Sequence, residues 1–404
     1  YVAFDSIATN LVAGDTNDVS DVFLIDRLLG TIVRASVNTA GTQGNESSET
    51  PAVDDAGNVI FMSFASNLEG GDDNGSRDIF IRWADIMGDV WTNMISRTPG
   101  NEEANSDSVL PSISADGSMV AFVSDANDLV MSDDNATSDA FFRTISLVWG
   151  MGDTKRANVT TAYATFGNGT AASPDISANG RYVVFSGGFD DDNMVYGDTN
   201  GFDDIFMVDR WLGTICRINL APDGRSQADA GSEYCRISPD GQSVVFTSDA
   251  NNLTEDCTNP DPDVFLWFRP SGHIYQVLGA GGVQPNAACE APVAANNRNL
   301  AFASAATNLV AVDAGGFSDV FYTHVETREV EMISVGPGGQ GNNDSDSPSI
   351  TPDARYVAFA SRASNLVDGG TVVDRWHVYV RDRTLATTNL VSVNNADVDG
   401  NGNS

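Results

Sequence analysis

Short, mostly apolar runs recur along this chain, each flanked by turn formers and acids. YVAF (1–4), NVIF (58–61), MVAF (119–122), YVVF (182–185), SVVF (243–246), NLAF (299–302) and YVAF (356–359) end on Phe4, Phe61, Phe122, Phe185, Phe246, Phe302 and Phe359, about 60 residues apart. A second landmark, the aromatic of DVF-like strings, follows each one at Phe23, Phe80, Phe141, Phe206, Phe265, Phe321 and Tyr379. Two landmarks repeating in the same order define an array of similar units.

Within one unit the pattern predicts four short strands. In residues 111–149, PSIS alternates apolar and polar positions, ADG makes a tight turn in which Gly117 takes positive φ, and MVAFVS is an apolar run suited to burial on both faces. A long polar loop, DANDLVMSDDNATS, then leads to DAFFRT. A fourth strand closes the unit and is clearest as TIVRAS (31–36) or TTNLVSV (387–393). Helical periodicity is absent, and Gly, Asn, Asp, Ser and Thr fill the connections. A four-stranded unit cannot hide both faces alone, but seven can by packing face to face. The predicted fold is therefore all-β: a seven-bladed β-propeller of four-stranded antiparallel blades.

The chain reads as one domain, residues 1–404, with blades at approximately 1–40, 48–100, 108–150, 171–222, 232–280, 288–336 and 345–395 and a tail or linker at 396–404. First strands are expected near Pro51, Pro111, Pro174, Cys235, Pro292 and Pro348, so one inner strand is absent. Either the native polypeptide extends past one end, or another molecule supplies the strand and the units self-assemble through the incomplete blade, because an open edge invites pairing.

The strings PSITPDARYVAFASRASNLV (348–367) with HVYVRDR (377–383), RISPDGQSVVFTSDANNL (236–253) and PDISANGRYVVFSGG (174–188) resemble the TolB-type, WD40-like propeller repeat of periplasmic and secreted bacterial proteins. The resemblance spans essentially the whole chain and implies a propeller. Such propellers serve as docking platforms, lyase scaffolds and companions to peptidase domains, so the resemblance does not select among functions. Asn296-Asn297 replaces Asp-Gly in the sixth blade and Ala354 replaces Gly in the seventh, where turns of different shape are expected.

Composition narrows the function class. Apolar residues make up 41% and charged residues 19%, as in a folded chain, and the formal net charge is −35 with Lys155 the only lysine. That field repels nucleic acid and anionic membranes and attracts cations. It also favours solubility in a salty medium. No apolar run reaches the roughly 20 residues needed to span a bilayer, so no membrane insertion is expected. No signal peptide is present, although Tyr1 begins in mid-motif.

The acids are patterned. The string D-x-N-x-x-x-D ends on the aspartate that opens the third strand: Asp15/Asn17/Asp21, Asp72/Asn74/Asp78, Asp133/Asn135/Asp139 and Asp198/Asn200/Asp204. Blade five has the variant Asp256, Asn259 and Asp263, blade six keeps Asp313 and Asp319 with Gly315 in place of the amide, and blade seven has Asp368 and Asp374 in an unmatched context. A turning loop that offers two carboxylates, an amide oxygen and a carbonyl suits calcium, which takes six to eight hard oxygens. The competing reading is structural, since Asp and Asn cap local backbone in such turns. The Asn-Leu pairs ahead of the loops (Asn10-Leu11, Asn67-Leu68, Asn252-Leu253, Asn308-Leu309, Asn365-Leu366) are read as scaffold: Leu plugs the core and Asn ties the loop.

No constellation marks an active site. His273, His324 and His377 sit in different blades, outside any H-E-x-x-H motif, and no G-x-S-x-G elbow or phosphate loop occurs. Trp83, Trp91, Trp149, Trp211, Trp267 and Trp376 fall in third and fourth strands or their hairpins, as packing residues or as a sugar-stacking surface. Cys216, Cys235, Cys257 and Cys289 lack C-x-x-C spacing, which argues against zinc. Two disulfides, Cys257–Cys289 and Cys216–Cys235, are the expected pairing, with unbridged core thiols the alternative. The expected function is a non-enzymatic extracellular, cell-surface or periplasmic module: a rigid, acidic, calcium-stabilised scaffold that binds a protein or glycan. A polysaccharide-active lyase or hydrolase using the central funnel is the alternative.

Overall fold

The computed structural model describes residues 1–85, 87–131, 133, 135, 137–145, 152–159, 169–188, 194, 195, 197–255, 257–259, 261–313 and 315–404. Every regular element among them is a strand, and apart from a two-stranded ladder of Val335–Gly336 with Gly339–Gln340 the strands form seven antiparallel blades of a β-propeller. The first blade has three strands, Val2–Ser6, Asp21–Asp26 and Thr31–Arg34, and lacks the first strand that each of the others has. The remaining six blades have four strands in sequential order.

The chain divides into two compact units. The first comprises Tyr1–Val183, Val208–Ile215 and Val393–Ser404, and the second comprises Val184–Met207 and Cys216–Ser392. Blade 5, in the second unit, shows how sequence sets structure. Its strands are Ser232–Ile237, Ser243–Ser248, Asp263–Phe268 and His273–Gln276. Every residue of Ser243–Ser248 is buried: Val244, Val245 and Phe246 form its apolar centre, and the flanking Ser243 and Ser248 are buried with them. Phe246 faces Phe265 across the ladder, and their rings stack at 5.8 Å. The same landmark pair stacks in each blade, from Phe4–Phe23 to Phe359–Tyr379. Each fully buried Phe contributes about 1.5–3 kcal/mol.

The S-x-D-G turn is a hydrogen-bonded knot. Ser238 Oγ donates to Asp240 Oδ1 at 2.6 Å, while Ser238 Oγ accepts from Ser243 N and Asp240 Oδ1 accepts from Gln242 N. Gly241 stands at φ 67°. The blade 6 turn differs in shape, as expected: it is one residue shorter, closes with Asn299 N donating to Asn296 O, and has two left-handed residues, Asn297 and Arg298, at 59° and 61°, whereas Ala354 in blade 7 keeps the left-handed geometry of Gly241, at 57°. At Ala354 the reason is visible: Thr351 and Arg355 both bind Asp353 and hold the turn without glycine.

The first strands carry a feature that their sequences do not announce. Thr50, Leu110, Ser173, Tyr234, Ala291 and Ser347 all lie at φ between 48° and 54°. In blade 5 the pairing passes from Glu233↔Thr247 to Arg236↔Val245, so Tyr234 and Cys235 together oppose Phe246. Proline follows the left-handed residue in the other five cases, where a missing N–H costs the ladder least.

Residues 393–404 do not project as a tail. Asn403 O accepts from Ile7 N at 3.0 Å, Ser404 Oγ meets Ser6 Oγ at 2.8 Å, and Asn401 N donates to Asn10 Oδ1 at 2.8 Å. The link into blade 2 does the same, with Ser47 O accepting from Phe64 N and Asn45 N donating to Asn67 Oδ1. The asparagines of the Asn-Leu pairs are thus clamps for inter-blade links, and Leu11, Leu68, Leu253, Leu309 and Leu366 are buried.

Candidate functional site

In blades 1 to 4 and blade 6 the aspartate that opens the third strand is buried, and its first oxygen is committed to the fold. Ser36 donates to Asp21 Oδ1, Ser96 to Asp78 Oδ1, Asn158 to Asp139 Oδ1, Asn219 to Asp204 Oδ1 and Ser334 to Asp319 Oδ1, at 2.5–2.6 Å. The same Ser or Asn caps the following strand amide, as Ser96 does for Ile79 N. In blade 7 His377 occupies this position, opposite Ser361 and beside Ser392. Asp368 and Asp374, the acids expected there, precede it.

The loop asparagines turn their oxygens inward. Asn17, Asn74, Asn135 and Asn200 each accept from the backbone N–H two residues on. Asn17, Asn74, Asn200 and Asn259 donate to a carbonyl of the next link. Their amides are therefore turn elements. Asp256 and Trp149 lie outside the described residues.

What neutralises the remaining carboxylate oxygens differs from blade to blade. In blade 4, Arg217 Nη1 lies 2.7 Å from Asp198 and 2.8 Å from Asp204. In blade 3, Arg156 bridges Asp133 (3.1 Å) and Asp139. In blade 1, Gln43 Nε2 donates to Asp15 and Asp21 at 3.0 and 3.1 Å, and Arg34 lies within 3.7 Å of both. Gln340 joins Asp313 and Asp319 in blade 6, and Gln276 meets Asp263 in blade 5. Arg34, Arg156, Arg217, Gln43 and Gln340 were missed in the sequence. Their signal lay in the columns at the end of strand four and in the link beyond it.

Blade 2 breaks this pattern. The ladder places Met94 opposite Phe80, where Arg34 stands opposite Phe23, and Met94 is buried among Phe61 and Phe80. Glu103 replaces Gln43 in the equivalent bridge. Asp72, Asp78 and Glu103 consequently converge, with one carboxylate oxygen from each lying within 4.8 Å of the others. Burial, with Glu103 adding like charge, pushes Asp72 up to about 6, and burial pushes Asp78 up to about 7. Arg97 directs its hydrogen bonds elsewhere, to Glu69 (3.1 Å) and the Asn101 carbonyl (2.9 Å).

No disulfide joins the four cysteines, in contrast to the expected bridges. Cys257 Sγ lies 3.4 Å from Asp263 Oδ2, and Cys289 lies 3.6 Å from Ser304 Oγ, so each side chain is directed to a partner in its own blade. Burial pushes both thiols up to about 12. The other singled-out side chains have local contacts: His273 packs edge-on against Tyr275, His324 Nδ1 accepts from Thr327 N, and Trp83 donates to Asn93.

A second acidic feature lies in the unit that holds blades 5 to 7. A recess of ≈ 360 Å³ is lined by Glu233, Glu290 and Asp346, each immediately preceding a left-handed residue of a first strand, and by Asp249. Tyr234, Ala291 and Ser347 complete this wall, and Tyr234 is 59% exposed.

No protein-family model matches this chain, and no curated protein matches it in sequence. Solved structures similar to it include TolB from Acinetobacter baumannii, at 13% identity and a TM-score of 0.41 over 87% of this chain and 80% of that one. A putative TolB from Agrobacterium tumefaciens is 17% identical, with a TM-score of 0.43 over 74% and 83%. An acylaminoacyl peptidase from Pyrococcus horikoshii is 10% identical, with a TM-score of 0.48 over 86% of this chain and 46% of that one.

Proposed function

We propose that this propeller is a non-enzymatic binding scaffold that takes a basic segment of a protein partner into the acid-lined recess. The observation that carries the reading is that Glu233, Glu290 and Asp346, from equivalent positions of three successive first strands, line one recess together with Asp249. Several carboxylates around one recess favour a cationic group inside it. Tyr234 offers a ring face for cation–π contact with Arg or Lys. An extracellular, cell-surface or periplasmic setting belongs to this reading, supported by the resemblance of the repeats to those of secreted propellers.

The test is fluorescence anisotropy with a labelled nona-arginine peptide in 0.15 M salt. Wild type is expected to bind it at least tenfold more tightly than E233Q/E290Q/D346N. Equal affinity for the two proteins would reduce the binding to the general field of a chain with net charge −35 and remove the recess from the reading.

A further inference from the structure

We propose that the loop of blade 2 is a calcium site whose protein ligands are Asp72, Asp78 and Glu103. Three observations converge on it. The first is the geometry: oxygens from these three side chains lie within 4.8 Å of one another, close enough for one ion at 2.3–2.6 Å from each. The second is an orphaned atom. Asp78 has no exposed surface, its Oδ1 is held by Ser96, and its Oδ2 has no hydrogen-bond partner. A buried carboxylate oxygen left so is costly, and a cation satisfies it.

The third observation is internal to the repeat. The same pocket in blades 1, 3 and 4 holds a guanidinium, from Arg34, Arg156 or Arg217, and in blade 6 the amide of Gln340. Blade 2 has exchanged the arginine for Met94 and the glutamine for Glu103, so the guanidinium between the two aspartates is lost and a negative charge is gained. Arg97 is near enough for its charge to act on Asp72, but its hydrogen bonds go to Glu69 and the Asn101 carbonyl, and with Glu69 and Glu103 the acids still outnumber it. The sibling pockets carry their cation or donor covalently between the carboxylates, whereas this one leaves that place to an ion from solution. An all-carboxylate oxygen set selects a hard ion, and carboxylates of flexible denticity suit Ca²⁺ better than the strict octahedron of Mg²⁺. Glu103 reaches an open recess of ≈ 740 Å³ between this loop and the inter-blade link, lined also by Glu69, Asn74 and Arg97. The site is independent of the acid-lined recess of blades 5 to 7.

The test is calcium titration of the metal-stripped chain by calorimetry in 0.15 M salt, paired with thermal melts in Ca²⁺ and in EDTA. One Ca²⁺ per chain is expected, with a rise in Tm of about 3 °C at a hundredfold excess over Kd. E103Q is expected to weaken binding more than tenfold. M94R/E103Q, which rebuilds the blade 1 arrangement, is expected to abolish binding while melting in EDTA no lower than wild type. A wild-type Tm indifferent to calcium would overturn the proposal. So would unchanged affinity in both variants, which places the ion elsewhere, or an equal response to Mg²⁺, which reduces the effect to charge screening.

Discussion

Arg217 is the sharpest test of how the acidic loops are held. Its side chain is 7% exposed and its Nη1 stands between Asp198 and Asp204, themselves 4% and 0% exposed. Burial, with Asp204 adding like charge, already pushes Asp198 up to about 6 with the guanidinium in place. Arg217→Met copies the residue found in blade 2 and keeps an apolar stem, so the loss is electrostatic rather than a cavity. Removing one partner of a buried pair costs about 3–5 kcal/mol because the remaining charges stay desolvated. At about 2.1 cal/mol/K per residue, unfolding a chain of this length carries an entropy near 0.85 kcal/mol/K, so that loss lowers Tm by about 4–6 °C. Differential scanning calorimetry at pH 7.5 reads it. The double variant R217M/D198N removes one of the two stranded carboxylates and is expected to recover more than half of the drop. A single variant that melts within 1 °C of wild type would refute the reasoning. A double variant as unstable as the single would also refute it, because the cost would then lie in packing.

Two further outcomes follow from local geometry. Ala354 sits at φ 57°, where an L-residue is disfavoured by about 1–2 kcal/mol and glycine is not. Glycine's larger unfolded-state entropy and the loss of the buried Ala354 methyl, about 0.8 kcal/mol, offset that relief, so Ala354→Gly is expected to melt within about 1 °C of wild type, and a drop of more than about 3 °C would show that the left-handed conformation costs alanine little here. The hydrogen bonds of Arg355, with those of the Thr384 and Leu385 amides, hold Asp382 down to about 2. Its folded value lies below the unfolded one of about 3.9, so its contribution is complete above pH 4 and is lost as pH falls toward 2. Asp382→Asn is therefore expected to melt below wild type at pH 6, with the gap closing between pH 4 and 2. A gap of constant size across that range would assign the effect to something other than the carboxylate.

The fold was legible because its signal is repetitive and apolar. Phe4 and Phe23, recurring as Phe61 and Phe80 and onward, mark the positions where two strands of each blade stack rings, and ring burial does not depend on loop detail. The first-strand bulges were not legible. A left-handed position is ordinarily advertised by glycine, yet Thr50, Leu110 and Tyr234 occupy it because the ladder on either side fixes them there. His377 in place of an aspartate was hidden for a related reason: Tyr379 marks the repeat there, and only the ladder opposite Ser361 shows what the histidine replaces.

The acidic loops were half legible, and the missing half is what separates blade 2 from its siblings. A string such as D-x-N-x-x-x-D shows where negative charge is gathered but not what answers it, because the answering residue comes from elsewhere. Arg217 follows Asp204 by a whole hairpin, and Gln340 reaches Asp313 from the link beyond strand four. Read in isolation, the loops of blades 1 to 4 look equivalent, and calcium fits all of them equally. With the strand-four column beside them they part company: Arg34, Arg156 and Arg217 against Met94, and Gln43 against Glu103. Since the shared aspartates are fixed by the fold through Ser or Asn, variation between blades falls on the neutralising partner. On the calcium proposal, a change there turns a structural ion pair into a site that takes its ion from outside, without altering the loop motif.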